Sequence, residues 1–202
     1  MKNKLKIKDV VTVALLTALY LIFYLGTGAI ATFAGSFGHA ISPGICAFFT
    51  GSIFFFMSRK VGRFGQFTIM QAVCLLLFTV MGAGYLPWII TSMAGALLGD
   101  LIASRSREPA TWKVAVASGL FHVGQAFGSI IPSIFFVESY REDWIARGVD
   151  AATMDERIRC TTGYMSVVST LAVFALSFAG VYIGYLILRK HFEKKETETN
   201  NS

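Results

Sequence analysis

Five polar residues fall on one face of an otherwise apolar stretch: Ser118, His122, Gln125, Ser129 and Ser133, at steps of 4, 3, 4 and 4. That spacing is helical. Polar side chains are costly at bilayer depth unless they meet partners or line a cavity. A histidine and a glutamine one turn apart supply both donors and acceptors. Two roles fit the pattern: the lining of a binding cavity, and hydrogen bonds between packed helices worth roughly 1 kcal/mol each.

Other residues extend the same chemistry. Ser166, Thr170 and Ser177 lie 4 and 7 positions apart on a later apolar stretch, and Thr91 with Ser92 on an earlier one. Their hydroxyls can also bond their own helix backbone. His39 sits in the Gly-rich segment Gly26–Pro43, read as an outer loop of the kind from which binding-site lids are drawn, or simply as solvated. Tyr85 and Trp88 belong either to an aromatic belt or to a pocket rim. If these faces converge, they build one substrate pocket from Ser118, His122, Gln125, Ser129, Trp88, Thr91, Ser166, Thr170 and His39. Uncharged polar groups and aromatics suit a small, weakly charged, ring-containing ligand. Arg141 or Arg159 at the mouth would instead admit an anion. Asp100, the one acid inside an apolar run, is expected to pair with Arg59 or Arg105, or else to couple a proton.

No catalytic set accompanies these groups, and no enzyme is expected. The chain has no HExxH motif and no phosphate-binding glycine loop, and Gly35-Ser36-Phe37-Gly38 does not match a nucleophile elbow. Cys46, Cys74 and Cys160 have neither CxxC nor Cys/His spacing, so no disulfide framework, metal or cofactor is indicated.

The elements that must position these residues are membrane helices. Of 202 residues, 54% are hydrophobic and 15% charged, with a mean hydropathy of +0.60. Soluble domains carry roughly 25% charge. A helix needs about 20 apolar residues to cross a bilayer. Six candidate spans follow, at about 9–25, 44–57, 66–82, 88–103, 112–137 and 163–188, with a polar tail disordered from about Glu196. The whole chain reads as one all-α transmembrane domain. The run Val10–Leu25 exceeds the usual signal-peptide core of about 7–15 residues, so it is read as a retained span despite the Ala29-Ile30-Ala31 triplet. The loop Glu138–Cys160 has room for a short surface helix, and its Tyr140 and Trp144 point to the membrane interface or a pocket mouth. No internal repeat supports an inverted-repeat transporter.

Charge orients this bundle. Fourteen of the eighteen Lys/Arg fall at the N-terminus, after the second and fourth spans, and in the tail. The other four, Arg141, Arg147, Arg157 and Arg159, share the loop 138–160 with six acids. The Lys/Arg rule for short loops then places both termini of this multi-pass membrane protein in the cytoplasm. These basic residues only punctuate apolar runs, which argues against nucleic acid as a partner. Small residues one turn apart (Ala14/Ala18, Gly95/Gly99, Gly124/Gly128, Gly180/Gly184) permit close helix approach. For the glycine pairs, packing within the bundle is the expected use.

The opening Leu5–Tyr20, with its Ala14-x-x-x-Ala18 element, resembles the start of the substrate-binding S components of energy-coupling factor (ECF) transporters. Gly95-Ala96-Leu97-Leu98-Gly99-Asp100 resembles their fourth helix. More narrowly, the chain looks like the Trep_Strep group of hypothetical bacterial membrane proteins, proposed as S components. The resemblance implies six spans, capture of a vitamin-like micronutrient from outside, and association with a membrane scaffold protein and two ATPase subunits. It implies a pocket built from the outer halves of the last three helices, and coupling to the module through Ala14 and Ala18. It does not identify the ligand. Without it, a stand-alone carrier or channel using His122 and Asp100 as a relay is the rival reading.

Overall fold

A computed structural model describes residues 5–104 and 108–189, and gives bounds for a last helix that run on to Asn200. The tail from Glu196 and the arginines Arg105 and Arg107 lie outside the described residues. Eight helices follow in order: α1 (Ile7–Phe33), α2 (Gly35–Lys60), α3 (Gln66–Val80), α4 (Leu86–Ala103), α5 (Thr111–Phe135), α6 (Val137–Ala146), α7 (Ala151–Thr161) and α8 (Gly163–Asn200). No strand occurs among the described residues. Five helices are long and apolar enough to cross a membrane: α1, α2, α4, α5 and α8 through Arg189. The apolar α3 is shorter, at 15 residues.

The Gly-rich segment corrects the sequence reading. Residues 26–43 are helix, not loop, apart from a one-residue joint at Ala34. Glycine favours irregular backbone in water, but in lipid each backbone group must be satisfied within the chain, which favours helix. The reversal needs only Gly35, whose φ of +67° suits a residue without a side chain. The joint makes α1 and α2 a long hairpin, with His39 on a helix. The loop 138–160 likewise holds two helices, α6 and α7, rather than one.

Glycines set the tightest crossings, as expected for bundle packing. A Cβ on Gly51 of α2 would lie 2.0 Å from the Gly180 carbonyl carbon on α8. A Cβ on Gly95 of α4 would lie 2.5 Å from the Leu120 oxygen and 2.9 Å from Gly124 Cα on α5. Backbones this close exchange dispersion contacts that lipid cannot match.

Polar bonds mark the two ends of the bundle. At one end, Asp9 of α1 pairs with Arg63 of the α2–α3 link at 3.2 Å, both nearly buried. There too, Asp100 near the end of α4 caps α3. It accepts the Phe67 and Thr68 backbone N–H groups at 3.1 and 2.9 Å, the Thr68 hydroxyl at 2.6 Å and the Ser104 hydroxyl at 3.0 Å. A carboxylate at a helix N-terminus answers both orphan donors and the helix dipole. Of the two arginines expected to pair with Asp100, Arg59 lies over the Phe55 ring, and Arg105 lies outside the described residues. At the opposite end, Arg147 donates to the Gly82 and Gly84 carbonyls of the α3–α4 turn, each at 3.2 Å. Ser36 at the start of α2 donates to Glu156 of α7 at 2.9 Å. Successive helices α1 to α4 therefore run in alternating directions. The basic N-terminal end lies away from the α6–α7 hairpin.

Candidate functional site

A cavity of about 220 Å³ opens at the α6–α7 end. That is the volume of about seven liquid waters at ~30 Å³ each. Its walls are largely aromatic. On one side Tyr24 of α1, Phe78 of α3 and Trp88 of α4 meet, with ring centroids 5.2 Å apart for Tyr24–Phe78 and 5.8 Å for Phe78–Trp88. On the other, Tyr85, Tyr140 and Trp144 form a triangle with centroids 5.6 to 6.4 Å apart. Gly128 makes the first wall possible: a Cβ there would lie 2.5 Å from Trp88 Cδ1, so only glycine lets the indole lie against α5. His39 and Ser42 of α2 and Gln125 and Ser129 of α5 supply the polar lining.

A hydrogen-bonded layer closes the floor. His122 Nδ1 stands 2.8 Å from the Ser118 carbonyl, and its Nε2 stands 3.3 Å from the Tyr20 hydroxyl. Gln125 Nε2 donates to Tyr20 at 3.1 Å and to Gln71 Oε1 at 2.9 Å. Beneath lies an aromatic plug of Phe54, Phe67 and Phe121, each fully buried, with Phe54 stacked on Phe67 at 5.2 Å. The cavity thus ends blindly within the bundle.

The structure divides the sequence-derived candidates. His39, Trp88, Gln125 and Ser129 line the cavity. Ser118 and His122 are buried below it, so the polar stripe of α5 is helix bonding at its lower end and cavity lining in its middle, at Gln125 and Ser129. Ser133, at the top of the stripe, accepts the Thr161 hydroxyl of α7 at 2.8 Å. Thr91, Ser166 and Thr170 stay outside the lining. Their hydroxyls bond their own helices, at the carbonyls of Pro87, Gly163 and Ser166. No residue of the last apolar helix, α8, lines this cavity, whereas α2 contributes His39, Ala40, Ser42 and Pro43. Geometry explains this, because α8 packs on α2 through Gly51, Gly180 and Gly184.

Tyr24, Ser42 and Phe78 were not singled out by sequence. Tyr24 follows Tyr20 by one helical turn, a spacing of two phenols that marks a face; Phe78 has no such signal. At the rim, burial pushes the Tyr140 phenol well above its usual range, with Tyr85 adding and Arg157 opposing. Burial, then the Asp143 charge, also raises Tyr85, against Arg147. Both phenols stay protonated and can donate as well as accept. Away from the cavity, Ala14 and Ala18 are exposed on α1, on a face beside that of the buried Val13, Thr17 and Tyr20.

A family model described as a hypothetical bacterial integral membrane protein (Trep_Strep) matches residues 7–194. No curated protein and no solved structure matches the chain.

Proposed function

We propose that this chain, which belongs to the Trep_Strep family of hypothetical bacterial integral membrane proteins, is the substrate-binding subunit of an ATP-driven importer of the ECF type. In this reading six helices cross the cell membrane, α3 among them, and both termini are cytoplasmic. The cavity faces outward beneath the α6–α7 hairpin and captures a small micronutrient. A membrane scaffold protein and two ATPase subunits then drive its release inside, with Ala14 and Ala18 at the contact.

The blind cavity carries the reading. It lies at the end opposite the basic N-terminal end, and a plug of buried aromatic rings separates the two. A site that opens one way and has no path through suits capture. Delivery then needs a large rearrangement, for which an external energised module is a ready source. The relay of a stand-alone carrier fares worse. Asp100 is committed to the N-terminus of α3 and His122 to its own helix and Tyr20.

The test is co-purification of the tagged full chain with a scaffold protein and two ATPases from its native membranes, with uptake measured beside it. Uptake should stop when the ATPase is inactivated. Solute transport by the chain alone in proteoliposomes would overturn the proposal in favour of a secondary carrier or channel.

A further inference from the structure

Among the described residues, the cavity lining contains no Asp, Glu, Lys or Arg. Most of the charges around its mouth are engaged. Arg147 pairs with Asp143 at 3.0 Å and donates to two carbonyls, Arg141 is paired with Asp155, and Glu156 accepts from Ser36. Arg157 lies close enough to act on both Tyr140 and His39 but does not itself line the cavity. An ionic ligand would leave water without a fixed counter-charge in the lining, and that is costly.

The His39 ring and the Tyr24, Tyr85 and Tyr140 hydroxyls in the lining can each donate or accept, and two further lining residues carry unused capacity of a fixed and opposite sense. Trp144 Nε1 is a buried donor without a partner among the described residues, and such a group in a native fold calls for an explanation. Gln125 uses its Nε2 on Gln71 and Tyr20. The Ser118 carbonyl only accepts, so His122 holds its proton on Nδ1, and the Tyr20 hydroxyl donates to Nε2. Gln125 Oε1, 3.5 Å from Tyr20, is then the acceptor this side chain has left. Trp144 at the mouth thus carries a spare donor that a turn of its indole would bring to an occupant, Gln125 at the floor carries a spare acceptor, and aromatic faces lie between.

Resting on the reading of this cavity as a capture site, we propose that its occupant is an uncharged, ring-bearing molecule. It accepts a hydrogen bond from Trp144 Nε1, donates one to Gln125 Oε1, and packs its ring on the aromatic walls. An uncharged heteroaromatic amide or lactam has that combination: N–H and C=O groups in one small planar molecule.

The experiment is calorimetric titration and thermal shift of the purified full chain with matched probes. Nicotinamide and uracil are the uncharged members, nicotinate and orotate their carboxylate counterparts, and benzamidinium the cation. The uncharged members should stabilise the protein and bind at least about ten-fold tighter than their carboxylates. Trp144→Phe should cost about five-fold or more in affinity. If that variant melts early without ligand, naphthylalanine at position 144 keeps two fused rings, lacks the N–H and should show the same loss. Binding by neither uncharged probe, equal or tighter binding of a charged one, or unchanged affinity without the indole N–H would overturn the inference. Association with an ATPase module is scored separately. Selectivity for uncharged rings without association keeps this inference and sinks the importer subunit, and a charged ligand with association does the reverse.

Discussion

Asp100 reaches across 32 residues to Thr68, accepting its backbone N–H at 2.9 Å and its hydroxyl at 2.6 Å with the same oxygen. The other oxygen serves Phe67 and Ser104. The only acid in this apolar run is thus the cap of the short α3. Asp100→Asn puts an amide nitrogen where an oxygen must accept, and sets one donor against another. Hydrogen bonds to a charged group contribute about 1.5–3 kcal/mol. The variant should therefore lose roughly 2–3 kcal/mol of stability, seen as earlier thermal unfolding in detergent. Ligand affinity of the folded fraction should be unchanged. A variant of full stability that has lost transport would instead restore the proton relay.

Tyr20→Phe addresses the floor. The hydroxyl joins His122 Nε2 at 3.3 Å to Gln125 Nε2 at 3.1 Å, in a fully buried site. Its removal leaves two groups each short of a partner, at about 1–3 kcal/mol apiece. The expected result is a lower melting temperature with the ring packing on Phe54 and Phe121 kept. No change would mean that the two groups find each other once the hydroxyl is gone.

Gln125→Leu combines both roles of the α5 stripe. Gln125 lines the cavity and also bonds α1 through Tyr20 and α3 through Gln71. Affinity should fall about 5- to 150-fold, the equivalent of one hydrogen bond of about 1–3 kcal/mol, and the melting temperature should fall with it. Loss of stability with affinity intact would make the residue a helix tie alone.

The helices and the α5 stripe were legible because lipid imposes simple rules: apolar length for spans, and a reason for every polar group within them. The spacing of Ser118, His122, Gln125 and Ser129 gave one face, but spacing cannot say how deep a cavity reaches along it. Ser166 and Thr170 misled because a hydroxyl that bonds its own helix looks, in sequence, like one that faces a pocket. The segment 26–43 misled because its glycines read as loop. Phe78 was invisible, as one phenylalanine among 18. Asp100 was noticed, but two of its four donors are backbone N–H groups, which carry no residue type for a sequence to display.

Cys160 reports on topology. It is half-buried on α7, where burial and then the nearby Glu156 charge raise its thiol above the ordinary value. The thiolate is the reactive form. An impermeant maleimide added outside should therefore label it slowly at neutral pH. The rate should climb about tenfold per pH unit while the solution stays below the thiol's pKa. Cysteines introduced near Lys60 or Arg105 should stay protected until the membrane is opened. Outside labelling at either would overturn the placement of the basic end in the cytoplasm.

The outer face of α1 bears on coupling. Val11, Leu15 and Ile22 are 53%, 69% and 68% exposed, and Ala14 and Ala18 lie exposed among them, one turn apart. This face is not used by the bundle, which leaves lipid or a partner's helices as its neighbour. Lipid gives no hydrophobic reward for helix association, so a partner must gain from close backbone approach. Two methyl-sized side chains on one strip allow that approach, and an indole would hold the partner several ångströms off and forfeit most of the dispersion contact. The cavity lies against a different face of α1, that of Tyr20 and Tyr24. Ala14→Trp or Ala18→Trp should therefore abolish uptake and module association while the isolated subunit keeps its affinity for ligand. A pull-down with the cognate module and a titration on the same preparation decide the matter. Loss of both would mean that the substitution misfolds the chain, and retention of both would mean that this face meets only lipid.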